Sequence, residues 1–167
     1  DDNIIIFKEE SPLGTGGSIL NAIKKLSLDN NEELLILNGD TYLELDFSFF
    51  IENSNASLNI LGSYQHNCDR YGVLEIDGNK IVKMNEKILN KRNSYINAGC
   101  YYFKELSFFD TITESVFSIE EKFKDFLETS EIGVIKYEDI FIDIGIPSDY
   151  EKMKEYVINV ALNKLLQ

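Results

Sequence analysis

Residues 34–41 of this chain read Leu-Leu-Ile-Leu-Asn-Gly-Asp-Thr, and this stretch decides the fold. A run of aliphatic residues predicts a short strand buried on both faces, because a half-exposed strand would alternate apolar and polar residues. The strand leads directly into Asn38 and Gly39, which favour a turn. Asp40 is therefore predicted to lie just beyond the carboxyl end of a buried strand, where open α/β sheets bind their ligands.

The segment before this strand has the pattern of a strand, a glycine-rich loop and a helix. Residues 4–7, Ile-Ile-Ile-Phe, predict another buried strand. Residues 9–18, Glu-Glu-Ser-Pro-Leu-Gly-Thr-Gly-Gly-Ser, predict a loop because of their proline and three glycines, and the apolar residues from Ile19 to Leu26 follow at helical spacing.

The segment after residue 41 continues to alternate strands and helices, with one exception. Residues 73–84 predict an antiparallel hairpin with a turn at Asp77-Gly78-Asn79-Lys80. Residues 140–147 predict a strand that ends in a turn before a C-terminal amphipathic helix. The pattern predicts a single domain over residues 1–167, a Rossmann-like three-layer α/β fold with a mostly parallel sheet and an antiparallel hairpin insertion.

Composition narrows the classes of function. The chain has 167 residues and a formal net charge of −13, which argues against binding to a nucleic-acid backbone. No apolar run reaches the roughly 20 residues of a membrane span, and no secretory signal is recognisable, so a cytoplasmic protein is expected. One histidine and two cysteines do not make a zinc cluster or a disulfide framework. An anionic ligand would have to bind through backbone amides, a few cations and a divalent metal.

Three groups of residues are candidates for a site, and each has a plain structural alternative. Glycines 14, 16 and 17 can let backbone N–H groups approach a phosphate, or they can merely allow a flexible connection. Asp40 and Asp143 follow apolar strands and together can hold Mg²⁺, or each can cap its own turn. Glu86-Lys87 and Asn97-Ala98-Gly99 can line a sugar site, or they can be ordinary surface residues.

A hydrolase finds no support in the sequence. His66, Asp69 and Arg70 are close in the chain, but there is no second histidine and no serine motif of the nucleophile-elbow type.

The ordered set of motifs resembles the sugar-phosphate nucleotidyltransferase family, and within it the guanylyltransferases that act on D-glycero-D-manno-heptose 1-phosphate. No single motif carries this resemblance, but their order does, and it spans nearly the whole chain. The motifs are residues 12–17 (Pro-Leu-Gly-Thr-Gly-Gly), 38–40 (Asn-Gly-Asp), 70–73 (Arg-Tyr-Gly-Val), 86–87 (Glu-Lys), 96–99 (Ile-Asn-Ala-Gly) and 141–147 (Phe-Ile-Asp-Ile-Gly-Ile-Pro).

The resemblance implies that the oxygen of a sugar 1-phosphate attacks the α-phosphorus of a nucleoside triphosphate, with GTP favoured, and releases pyrophosphate. It also implies roles for individual residues. The nucleotide would be contacted by Gly14, Thr15, Gly16, Gly17, Asn38 and Gly39. Mg²⁺ would be bound by the catalytic pair, Asp40 and Asp143. The sugar phosphate would be contacted by Gly72, Glu86, Lys87, Asn97 and Gly99.

One departure from the family pattern is large. The family's first strand, its Gly-Gly-x-Gly-Thr-Arg loop and its Pro-Lys segment have no counterpart here. We therefore expect little or no turnover by this chain alone, and instability or self-association in isolation. Two other readings remain open: a non-catalytic module that binds a nucleotide-sugar, and an α/β domain whose glycines and aspartates only form turns. A homo-oligomer is also open, because the amphipathic C-terminal helix suits an interface as well as a core.

Overall fold

The structure is a computed structural model and describes residues 4–165. In chain order its elements are α1 (Gly14–Leu26), β1 (Leu34–Leu37), β2 (Thr41–Leu43), α2 (Phe47–Asn53), β3 (Leu58–Asn67), β4 (Gly72–Asp77), β5 (Lys80–Lys87), β6 (Arg92–Phe103), a 3₁₀ turn (Ser107–Phe109), α3 (Ile119–Leu127), β7 (Ile132–Tyr137), β8 (Phe141–Asp143) and α4 (Pro147–Leu165).

A six-stranded sheet forms the centre of the molecule, in the order β1-β6-β3-β7-β5-β4. The short strands β2 and β8 pair with each other in a separate antiparallel ribbon. The predicted hairpin is confirmed: β4 and β5 pair antiparallel on either side of residues 78–79.

The two faces of the sheet are covered by different helices, which confirms the three-layer α/β fold. One face carries Ile60 and Tyr101, which pack with residues of α1 and α3. The opposite face carries Leu61 and Tyr102, which pack with Phe50 of α2. Side chains of successive strand residues point to opposite faces, so β3 and β6 contribute to both cores.

The expectation of a mostly parallel sheet is wrong, because β3 and β7 form the one parallel pair within the described sheet. Strand β6 runs antiparallel to β1, β3 and β4. A parallel neighbour requires a crossover connection, usually a helix. Only the β4–β5 hairpin, and no helix, lies between β3 and β6, and β6 returns beside β3 in the opposite direction. Helix α3 lies between β6 and β7, and β7 runs parallel to β3.

The predicted strand over residues 4–7 is also wrong. These residues form no strand, and the side chain of Ile6 is 86% exposed. A strand needs a hydrogen-bonding neighbour, and none of the described strands pairs with this segment. Phe7 instead lies beside helix α1, where the Lys25 ammonium is 5.5 Å from the centre of its ring.

Helices long and apolar enough to cross a membrane are not found among residues 4–165.

The aromatic core on the α1–α3 face provides a test of the fold. Phe123 is fully buried and contacts the rings of Tyr101, Phe103 and Phe108. We expect Phe123→Ala to lower the free energy of unfolding by about 3–5 kcal/mol, through lost burial and the cavity left behind. Urea denaturation measures this, with Phe49→Ala as the matched control because Phe49 is 54% exposed. Equal losses in the two variants would contradict the packing described here.

Candidate functional site

The β2–β8 ribbon brings the two predicted metal-binding aspartates to the same place. Thr41 is paired with Asp143 across the ribbon, and the Ile144 N–H donates to the Asp40 carbonyl at 2.9 Å. Asp40 is exposed and Asp143 is half-buried. The pairing of the two strands therefore brings together the backbones of Asp40 and Asp143, which the sequence placed at separate strand ends.

Asp143 is held by Arg70, which the sequence did not assign to the site. One Asp143 oxygen accepts from Arg70 Nη2 at 3.2 Å, and the other accepts from the Gly145 N–H at 2.8 Å. Arg70 also bonds Asp149, which Lys152 Nζ contacts at 2.6 Å. Hydrogen bonds from Lys152 and Arg70 lower the pKa of Asp149, so this carboxylate stays charged near neutral pH.

The donor set fits a hard divalent cation that brings other ligands with it. Mg²⁺ is typically bound by one or two carboxylates together with water and substrate phosphates, and Asp40 and Asp143 can supply such a pair. Within residues 4–165 no group of three or more histidine, cysteine or acidic side chains is arranged to hold a metal. A cation that binds Asp143 must compete with the Arg70 guanidinium for one of its oxygens.

The predicted sugar-phosphate residues line one cavity of about 450 Å³. Its walls include four of the five residues predicted for this role, Gly72, Glu86, Lys87 and Asn97, together with Asn38, which was predicted to contact the nucleotide. Asn38 directly follows β1, and the others lie in β4, β5 and β6. These elements meet because β6 pairs with β1 near its end and with β4 near its middle. The structure thus brings together residues that are up to 59 positions apart (97 − 38).

Cations surround the acidic groups of this cavity. Arg70, Lys87 and Lys124 all line it. Lys124 of α3 bonds the exposed carboxylate of Glu86, and this hydrogen bond lowers the pKa of Glu86. A ligand that reaches Glu86 therefore meets a carboxylate already paired with an ammonium group.

Gly99 is buried beneath Asn38 and has a backbone conformation that favours glycine. Its φ angle is +69°, and a Cβ atom there would lie 2.3 Å from Asn38 Nδ2. The Asn38 N–H donates to the Gly99 carbonyl at 2.8 Å, and the Gly99 N–H donates to Asn97 Oδ1 at 3.0 Å. Gly99 therefore joins the end of β1 to the cavity wall.

Residues 14–17 form the first turn of α1, so the predicted loop over these residues is wrong and the helix begins earlier than the apolar spacing indicated. The carbonyl of Phe117 accepts from the N–H groups of Gly16 and Gly17 at 3.1 and 3.4 Å. A Cβ atom on Gly16 would lie 2.1 Å from the Phe117 ring. Close packing against the segment before α3 is thus one reason for glycine here. The Phe117 carbonyl also occupies the Gly16 and Gly17 amides, which were candidates for phosphate binding.

Glu120, Tyr101 and Arg70 are among the cavity residues that the sequence analysis did not assign to the site. Glu120 belongs to a Ser118–Glu121 pattern that predicts a helix start, and Ser118 does accept from the Glu121 N–H at 3.4 Å. Tyr101 looks like an ordinary core aromatic. Arg70 stands next to Tyr71 and Gly72 in a recognised motif, which was the available signal, but its pairing with Asp143 depends on distant strands.

The sequence of this chain matches a known protein family. A model of the nucleotidyl transferase family matches residues 3–159. The chain belongs to this family. The resemblance drawn from the ordered motifs is therefore confirmed.

Two curated relatives are D-glycero-alpha-D-manno-heptose 1-phosphate guanylyltransferases. The protein from Campylobacter jejuni is 31% identical over 85% of this chain, and the one from Aneurinibacillus thermoaerophilus is 32% identical over 88%. The crystal structure of HddC from Yersinia pseudotuberculosis matches with a TM-score of 0.74 and 37% identity over 89% of this chain. A second structure of that protein is a complex with GMP-PN.

The chain spans less than two thirds of the length of these relatives. It covers 62% and 64% of the two guanylyltransferases, and 64% of the HddC chain.

The close approach of Gly99 and Asn38 generates a test. We expect Gly99→Ala to lower the free energy of unfolding by about 1–3 kcal/mol, because alanine is strained at positive φ and its Cβ atom would displace Asn38. Urea denaturation measures the loss. Gly39→Ala is the matched control, since a Cβ atom there has no neighbour within 4 Å. A Gly99→Ala protein as stable as Gly39→Ala would refute this packing.

Proposed function

We propose that this protein transfers a guanylyl group from GTP to a sugar 1-phosphate, a heptose or a hexose, and so makes a nucleotide-sugar for surface polysaccharide. The observation that carries the proposal is one cavity lined by Gly72, Glu86, Lys87 and Asn97 together with Arg70, whose guanidinium bonds Asp143. Membership of the nucleotidyl transferase family, and the guanylyltransferase names of the two relatives, support the choice of reaction.

In the proposed reaction an oxygen of the sugar phosphate attacks the α-phosphorus of GTP. A new phosphorus–oxygen bond forms, the bond between the α-phosphorus and the oxygen bridging to the β-phosphorus breaks, and pyrophosphate leaves with that electron pair. No protein nucleophile is required, because transfer of this kind depends on alignment of the reactants and on stabilisation of phosphate charge.

Each side of the site has a proposed task. Residues 14–17, Asn38 and Gly39 contact the nucleotide, with the reservation that Phe117 already accepts from the Gly16 and Gly17 amides. Glu86 and Asn97 offer hydrogen-bonding groups to the sugar hydroxyls. Gly72 leaves room for the sugar phosphate, and Lys87 and Arg70 place positive charge in the same cavity.

Mg²⁺ is the proposed cofactor, held by Asp40 and Asp143. When bound it would neutralise phosphate charge and orient the phosphate groups. The Arg70 guanidinium occupies one Asp143 oxygen, so we expect it to turn from that carboxylate towards a phosphate when the cation binds. A phosphate would then replace the carboxylate as its partner.

Pyrophosphate release tests this function. GTP with Mg²⁺ is combined with mannose 1-phosphate or D-glycero-D-manno-heptose 1-phosphate, using this chain and a version extended at its N-terminus to the length of the relatives. We expect release by the extended protein and a loss of about 100-fold in Asp143→Asn, because one of the two carboxylates proposed to hold Mg²⁺ loses its charge. Asp139→Asn is the matched control, since Asp139 is exposed and lies outside the cavity.

The outcomes separate the candidate functions. No release with any sugar phosphate would refute the transferase. Binding of GDP-mannose by either protein without release would identify a nucleotide-sugar-binding module in its place. Equal activity of Asp143→Asn and Asp139→Asn would refute the role given to Asp143.

A further inference from the structure

Glu120 has more hydrogen-bonding partners than its place in a helix requires. It is the second residue of α3, is half-buried and lines the cavity. One of its oxygens, Oε2, accepts from Ser118 Oγ at 2.6 Å and from Thr15 Oγ1 at 3.0 Å. Thr15 lies in the first turn of α1, so this carboxylate joins two helix starts that are 105 residues apart.

The other oxygen of Glu120 faces the opposite side. Oε1 accepts from the Tyr101 hydroxyl at 3.4 Å, and that hydroxyl accepts from Asn97 Nδ2 at 3.0 Å. Tyr101 is 1% exposed, and burial raises the pKa of its hydroxyl, which therefore remains a neutral hydrogen-bonding group. A continuous path of hydrogen bonds runs from Thr15 through Glu120 and Tyr101 to Asn97.

Capping of α3 does not explain this arrangement. The helix is capped by Ser118, which accepts from the Glu121 N–H. Glu121 already supplies negative charge in the first turn, where the helix dipole favours it. The Ile119 N–H, a further group at this helix start, donates to Thr15 Oγ1 at 3.0 Å. Besides its bond with Ser118 at the start of its own helix, Glu120 therefore contacts α1 through Thr15 and β6 through Tyr101.

We propose that Glu120 is a positioning residue that fixes the nucleotide side of the site relative to the sugar-phosphate cavity. This inference rests on the proposed function, which places the nucleotide at the start of α1 and the sugar phosphate against Asn97. A nucleotide-sugar contains both the nucleotide and the sugar phosphate in one molecule. It can bind both subsites at once only if these subsites are held at the correct separation. Glu120 supplies that separation through Thr15 on one side and Tyr101 on the other.

The test compares a joined ligand with its halves. Binding of GDP-mannose, GMP and mannose 1-phosphate is measured by calorimetry for the full chain and for Glu120→Ala. We expect the affinity for GDP-mannose to fall about tenfold or more, while the affinities for GMP and mannose 1-phosphate each change less than about threefold. Glu120→Gln should restore binding of GDP-mannose, since its amide oxygen can still accept from Thr15 and Ser118.

Substitution of Thr15, which also removes a hydrogen bond of this path, gives an independent check. Thr15→Val removes the hydroxyl with little change of volume, and Thr15→Ser keeps it. If the bond between Thr15 and Glu120 carries the effect, the double variant Thr15→Val/Glu120→Ala will bind GDP-mannose about as weakly as Glu120→Ala alone. Full additivity of the two losses would overturn the proposed path.

The remaining outcomes are distinguishable. If Glu120→Ala lowers the thermal midpoint but leaves the ratio between joined and separate ligands unchanged, Glu120 is structural and the inference is wrong. If the wild-type chain binds all three ligands and Glu120→Ala leaves the ratio of joined to separate affinities unchanged, only the role of Glu120 is refuted. The proposed function then stands. If the wild-type chain and its extended version bind none of the three, both proposals fall.

Discussion

The hydrogen bonding of strand β6 is the constraint on which the rest of the structure depends. This strand of 12 residues pairs with β3 along most of its length, with β1 at its end and with β4 near its middle. Asn97 and Gly99 lie where these pairings change. Pairing of β6 with its neighbouring strands therefore determines three features: the wall of the cavity, the position of Asn38 and the orientation of the β4–β5 hairpin.

Sequence reasoning succeeded where the deciding forces are local. The strand over residues 34–37, the turn at Asp40 and the hairpin were predictable, because aliphatic runs and turn residues act on their immediate neighbours. The order of motifs identified the cavity residues. It failed where partners are distant in the chain. The direction of β6 relative to β3 depends on the elements between them, and residues 4–7 have no pairing strand among the described residues. The close packing of the glycines of α1 depends on Phe117, which is far away in the sequence.

Charge in the site is arranged as pairs that can exchange partners. The chain carries a net charge of −13, yet Arg70 and Lys124 converge on the cavity because Asp143 and Glu86 hold them there. Exposed pairs of this kind contribute little to stability. Their value lies in keeping cations ready for an incoming phosphate without leaving them unpaired beforehand. A strongly acidic protein can thus accept an anionic ligand at one place on its surface.

The β2–β8 ribbon has a consequence for how the molecule opens. Its strands are three residues long, and none of the ribbon residues is fully buried. Helix α4 beyond it is largely exposed, and its Tyr156 ring contacts the Tyr42 ring of the ribbon in a tilted arrangement. Segments with so little buried surface exchange their amide hydrogens through local opening, well before global unfolding. We therefore expect the amide hydrogens around Asp143 to exchange faster than those of β6, as a separate unit. A ligand that contacts both the ribbon and β6 would slow amide exchange in the ribbon first.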